Sequence, residues 1–235
     1  MRATWLVAVV VAASSCATVV PMQTASAVAA GRVRLGAQLG TAGFCGDLSA
    51  GGLGVLSCAE MPDGVPLPEL RAGGRFGFGH GVDLGVSVFG MGTLFAPEKV
   101  LTLGATADVK GELFRIPTSL GTHIVSAGVV QGLSGAGRLG LPWWTQIDLG
   151  VPVFYGLQFE RIELVVGASF VQRMTTSPGP TGTFGGQRVG FTLGLFTRNP
   201  SWVAVQVGYF TDPAKFNTGA IQLQVGYFFD VRPQS

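Results

Sequence analysis

Near the end of the chain every second residue is bulky and apolar: Ile221, Leu223, Val225, Tyr227 and Phe229. The positions between them, Ala220, Gln222, Gln224, Gly226, Phe228 and Asp230, are mostly small or polar. A period of two places the two sets on opposite faces of a β-strand. The pattern recurs from Gly31 onward, at 33–39, 70–78, 82–88, 101–109, 147–157, 162–170, 189–195 and 203–209, with 123–133 the least regular stretch. With the last segment, that makes ten predicted strands. A tilted strand needs about 9–11 residues to cross a bilayer.

Alternation alone fits a soluble sandwich or a lipocalin-like barrel as well. The distribution of charge separates them. The apolar faces carry almost no charge from one end of the chain to the other, while the second faces hold Gly, Ala, Ser, Thr and charges of both signs. A soluble barrel would place its charges toward water and its large apolar groups within. Here charge belongs inside, where opposite signs pair, and the apolar face belongs to lipid. Composition agrees. Only 12% of residues are charged, against about 25% in a soluble domain, and the mean hydropathy is +0.45. Beyond the N-terminus no stretch reaches the ~18 apolar residues of a spanning helix. The 37 glycines disfavour long helices. A closed β-barrel is the remaining membrane solution. The predicted fold is an all-β, antiparallel up-and-down transmembrane barrel of about ten strands, with eight or twelve as alternatives.

The inward faces collect seven basic residues, Arg32, Arg34, Arg71, Arg75, Lys110, Arg161 and Arg188. Against them stand seven acidic ones, Glu69, Asp83, Asp108, Glu112, Asp148, Glu160 and Glu163. Two readings follow: a paired network that packs a narrow interior, or the lining of a narrow channel for small solutes or ions. A ten-stranded barrel is little wider than the eight-stranded type, whose interior side chains fill. Strong ion selectivity would favour a ring of one sign. The packed interior is therefore the leading expectation.

Connections alternate in length. His80-Gly81, the stretch around Glu160 and 199–201 are short, whereas 41–67, 135–144 and 174–187 are longer and rich in Gly, Pro, Ser and Thr. Short periplasmic turns and long external loops are the rule in such barrels. This predicts Trp143, Trp144 and Phe95 near the outer interface and Trp202, Tyr227 and Phe229 near the inner one, as aromatic girdles. Pro152 is a misfit, because proline cannot donate a ladder hydrogen bond from mid-strand.

The first residues read as an export signal: Arg2, an apolar run over 5–20, then Ala25-Ser26-Ala27 as a small-x-small cleavage site. Cleavage is expected after Ala27, giving residues 1–27 as signal, 28–231 as barrel and 232–235 as a short tail. Ala13-Ser14-Ser15-Cys16 offers a competing lipidation site at Cys16. With Cys16 removed, Cys45 and Cys58 remain in a Gly-rich stretch, a disulfide candidate in an oxidising compartment. Closing so short a loop would contribute about 3 kcal/mol.

The last segment resembles the outer-membrane assembly signal, polar–x–Gly–x–x–hydrophobic–x–hydrophobic, with Gln224, Gly226, Phe229 and Val231 in register. Bacterial examples usually stop at the terminal aromatic, whereas this chain continues to Ser235. The resemblance implies recognition by the barrel-insertion machinery. With the export signal and the earlier segments, the chain is similar to the small bacterial outer-membrane β-barrel proteins as a class. That implies a Gram-negative outer-membrane location, lipid contact and a monomer.

Candidate chemistry is sparse. Gly135–Gly140, "GAGRLG", fits a dinucleotide fingerprint, but alternating residues follow it where a helix is required, so no cofactor is expected. His80 and His123 are the two histidines, and the topology places both at periplasmic strand ends, away from where a membrane-embedded hydrolase would need one. No Cys/His/carboxylate spacing suggests a metal. The basic residues form no run, which argues against nucleic acid. The expected role is non-enzymatic: a structural or surface-interaction barrel acting through its external loops, the 41–67 loop above all.

Overall fold

The computed structural model describes residues 21–47, 55–56, 67–92, 100–138, 144–176, 183–198, 201–211, 213–214 and 218–231. Eleven strands follow in order: β1 (Val33–Asp47), β2 (Val55–Leu56), β3 (Leu67–Gly79), β4 (Val82–Gly92), β5 (Val100–Thr118), β6 (Gly121–Arg138), β7 (Trp144–Gln158), β8 (Ile162–Thr176), β9 (Thr183–Arg198), β10 (Trp202–Thr211) and β11 (Thr218–Val231). The two-residue β2 pairs only with β1. The other ten are the ten segments of alternating sequence. Each pairs antiparallel with its chain neighbours, and β11 pairs with β1 to close the sheet. The product is a ten-stranded, up-and-down barrel with no helix among its described residues.

The period of two translates directly into facing. Along β10 the burial alternates from Trp202 inward to Val203 outward and onward. Leu39, Leu70, Val88, Leu133, Val166, Leu193 and Val225, from seven different strands, are all exposed. A soluble monomer does not present a continuous apolar band of this extent. The described interior instead holds buried Arg71, Lys110, Glu69, Asp83, Glu163 and a set of Gln, Ser and Thr.

Short turns gather at one end. His80-Gly81 joins β3 to β4, Ser119-Leu120 joins β5 to β6, and 159–161 joins β7 to β8. The start of β1 and the end of β11 lie at this same turn end, paired as Val33↔Val231. His80 adopts φ 50°, flanked by Gly79 at 94° and Gly81 at 74°. Only glycine reaches that left-handed region without cost, and the two glycines carry the reversal around the histidine.

Two departures from regularity have physical causes. The β6–β7 ladder passes from Ala127↔Val153 to Val130↔Gly150 without pairing Pro152, while the β7–β8 ladder runs through Pro152↔Ser169. The strand is thus neither broken nor lost at Pro152; the residue sits at a gap in the β6 ladder, where its missing N–H costs nothing. The weak alternation of β6 has another origin: Ile124 and Val130 point inward and are fully buried.

Candidate functional site in the barrel lumen

The inward residues make two networks at different depths. Toward the loop end, Arg71 donates to Glu69 Oε1 from Nε (3.1 Å) and Nη2 (2.9 Å). It also donates to Ser87 and Thr106, and its guanidinium lies 4.6 Å from the Phe89 ring centroid. Gln222 on β11, the strand beyond β1, donates to the second oxygen of Glu69. On the opposite wall Arg173 donates to Asp148 at 2.8 Å, and Gln146 reaches the same carboxylate. Charges this deep cost several kcal/mol each unless paired and hydrogen-bonded. In this half each finds its partner on the wall itself.

The turn-end half differs. Arg75 bridges Asp83 (2.5 Å) and Asp108 (2.6 Å), and Arg34 pairs with Asp230 across the β1–β11 seam at 2.7 Å while covering the Trp202 ring. The remaining groups turn to a separate stretch of chain. Residues 21–28 form no regular element, are largely buried and run through the centre of the barrel. Lys110 Nζ donates to the carbonyls of Thr24 (2.6 Å) and Ser26 (3.0 Å). Glu163 accepts from Ser26 N and Oγ, Glu112 from Ala27 N and Asp83 from Val28 N. Gln38 exchanges bonds with the Met22 backbone. These wall residues come from β1, β4, β5 and β8, so the segment is encircled.

Glycines make room for it. A Cβ at Gly156 would lie 2.6 Å from Ala25 Cβ, and one at Gly77 would collide with the carbonyl oxygens of Val28 and Ala29. Below these, Gly31 N donates to Gly77 O and Gly77 N to Arg32 O, so the incoming chain is stitched to β3 before β1 begins. A cavity remains between segment and wall, lined by Pro21, Thr24, Gln38, Arg75, Trp202 and Phe228 among others.

Facing the charged wall is an apolar one: Ile124, Val130, Phe154, Val165, Val171 and Phe196, against which Met22 and Ala25 pack. The alternation placed Phe154, Val165 and Phe228 on the small-or-polar faces, and those three exceptions were the available signal for this wall.

Of the residues expected inside, Arg34, Glu69, Arg71, Asp83, Asp108, Lys110, Asp148 and Glu163 are buried in the lumen, and Arg75 is nearly so. Arg188 is half-buried at an inward position of β9, and Glu112 lies at the turn-end rim beside Arg115 (2.6 Å). Three are not in the lumen network. Glu160 and Arg161 are exposed in the turn between β7 and β8, and Arg32 lies half-buried in the turn before β1. A charge beside a strand end follows the turn rather than the pleat. Arg173, Asp230 and Arg115 join the ion pairs without having been expected there.

The predicted inner girdle also needs correction at one residue. Tyr227 and Phe229 are outward and exposed at the turn end, but Trp202 points inward, 4% exposed, beneath Arg34. Phe95 and Trp143 lie outside the described residues, as do Cys16 and Cys58, and with Cys58 the proposed bridge to Cys45. In the assembly-like stretch, Gln224 is buried in the lumen with Gly226 on the same face, while Phe229 and Val231 face outward.

The histidines stand apart from the lumen. His123 Nδ1 lies 2.6 Å from the Tyr155 hydroxyl on the exposed outer face. Among the described residues no group of His, Cys, Asp and Glu could hold a metal. The Gly135–Gly140 stretch starts in β6, and the next described element is the strand β7 from Trp144.

Closed antiparallel sheet, apolar outside and paired charges inside now stand together. This is the fold of a bacterial outer-membrane β-barrel. No family model matches the chain, and no curated protein is significantly similar to it. The chain is also similar, at low identity, to solved structures of outer-membrane proteins. A loop-deletion mutant of OmpT, an outer membrane protein of Vibrio cholerae, is 15% identical over 71% of this chain, with TM-score 0.34. This chain spans about half of that protein's length (54%). Ail, the attachment invasion locus protein of Yersinia pestis, is 10% identical over 86% of this chain and 99% of its own, with TM-score 0.36. The outer membrane protease OmpT of Escherichia coli is 8% identical over 91% and 100%, with TM-score 0.40.

Proposed function

We propose that this protein is a non-enzymatic outer-membrane barrel with a closed interior, whose role is structural or one of surface interaction carried by the loop end. The observation that carries the reading is the filled lumen. The Arg71–Glu69–Gln222 and Arg173–Asp148–Gln146 groups bridge inward from opposite walls, and the 21–28 segment occupies the space beneath them. The balance of paired charge, rather than a ring of one sign, speaks for packing over conduction. Neither histidine belongs to the buried network, which supports a non-catalytic role.

The test is electrical. The protein, folded in detergent and shown to migrate as a heat-modifiable band, is added to a planar bilayer. No stepwise conductance above the detergent control is expected. Stable steps would instead favour the narrow-channel reading, for which the cavity beside the segment would be the starting point.

A further inference from the structure

Two places near the N-terminus carry the small residues of an export-processing site, and they leave different proteins. Processing after Ala27 removes residues 21–27 altogether. Processing before Pro21 keeps them at the front of the mature chain. A segment that is removed cannot also fill the folded lumen, so the lumen distinguishes the two.

Residues 21–28 are fitted to the barrel through their side chains as well as their backbone. The segment bends at Ala25-Ser26. At the bend Glu163 accepts from both the amide and the hydroxyl of Ser26. Arg34 donates to the Thr24 hydroxyl at 3.1 Å, and that hydroxyl donates to the Ser26 carbonyl. Met22 packs on the apolar wall, where a Cβ at Gly226 would come within 3.1 Å of its sulfur. Ala25 fits because the wall opposite is Gly156. The small residues at the bend thus have a structural cause, quite apart from any cleavage.

The wall in turn depends on the segment. Glu163 is fully buried and Lys110 is 1% exposed. The hydrogen bonds of Glu163 all go to Ser26. Those of Lys110 go to Thr24 and Ser26, its nearest carboxylate being Asp83 at 3.6 Å. Without residues 21–27 both ions lose these bonds, and buried ions left so are strongly unfavourable.

The sequence supplies an earlier site. Residues 5–13, WLVAVVVAA, follow Arg2 as an uncharged apolar core of nine, within the 7–15 that an export signal uses. Ser15-Cys16-Ala17 comes directly after, a small-x-small triplet. We propose that export processing hydrolyses the chain before Pro21, at this triplet, and that residues 21–28 remain in the mature protein as a plug of the turn-end lumen. The step consumes a water, leaving a carboxylate on the released leader and an amine on the mature chain. The inference rests on the closed-interior reading and names what closes the turn-end half.

The test uses the full-length chain produced in a Gram-negative host, with the heat-modifiable protein extracted from the outer membrane. Intact mass and N-terminal sequencing give its first residue. A start before Pro21 is expected; a start at Val28, or a retained Met1, would overturn the proposal. Hydrogen exchange on the same protein then reads the plug itself. Amides of Ser26, Ala27 and Val28 should exchange far more slowly than in the free peptide PMQTASAV. Exchange at free-peptide rates would overturn the plug even with the early start. Glu163→Gln should speed exchange at Ser26 by about tenfold or more, the scale of a weakened charge-assisted hydrogen bond. Val28, whose amide is held by Asp83, should keep its protection. Indifference of Ser26 to this change would count against the plug. Stepwise conductance by the same protein would defeat the closed-interior reading, whatever its first residue.

Discussion

Arg71 and Lys110 are both buried cations on inward positions of neighbouring strand pairs, yet they are satisfied in different ways. Arg71 has its carboxylate two residues away on β3, its hydroxyls on β4 and β5, and a glutamine on β11, beyond β1, supporting that carboxylate. Lys110 turns to main-chain carbonyls of a segment 84 to 86 residues earlier in the chain. The loop-end half is therefore self-contained, and the turn-end half is completed by something that is not part of the sheet. One barrel holds a closure made by its own wall and another made with a separate segment, separated by a few residues of strand.

This contrast can be broken by experiment. The largest effect should come from Arg71→Ala, which strands Glu69 in the interior. It should cost about 3–5 kcal/mol, the penalty for opening a buried pair, equally in chains with and without residues 21–27. Denaturant titration in detergent measures it; a difference between the two chains would show the halves to be coupled. Glu163→Gln comes next. It should cost about 1.5–3 kcal/mol in the full-length chain, where two charge-assisted hydrogen bonds end on the carboxylate. In a chain starting at Val28 the same change should be stabilising, because it removes a buried charge that has lost its hydrogen bonds. Gly156→Val should cost about 1–3 kcal/mol by overpacking against Ala25, again only while the segment is present. The smallest effect belongs to the rim. Arg115→Ala removes a pair with Glu112 whose arginine is 45% exposed, and should change stability by about 0–1 kcal/mol, less at high salt.

How far the sequence revealed all this follows the same division. The ten strands, their facing and the location of the short turns were legible, because a half-buried pleat writes its period into every second residue. The paired wall of the loop-end half was largely legible too, since Glu69, Arg71 and Asp148 fall on inward positions. Arg173 was missed because its strand runs past the stretch of clear alternation, and Glu160 and Arg161 were misplaced because a turn has no faces. The turn-end half was not legible. Residues 21–28 have no period, and small residues there read naturally as the end of an export signal. Nothing local says that Ser26 will meet Glu163, 137 residues away. The apolar lumen wall was visible only as interruptions, in Phe154, Val165 and Phe228.

The Arg34–Asp230 pair joins the first barrel strand to the last, across 196 residues. Every other strand pair of the barrel joins neighbours in the sequence, so its ends are drawn together by a connection of modest length. The seam is different in time as well as in place. Its closure bears the entropy of the longest loop in the molecule and belongs to the slow, non-local class of contacts. Until β11 arrives, β1 is an open edge of unpaired amides and carbonyls, the hazard that barrels exist to abolish. The strand resembling an assembly signal is thus also the strand whose arrival ends that exposure. A defect at Asp230 should show first as slow or incomplete folding rather than as loss of a finished barrel's strength.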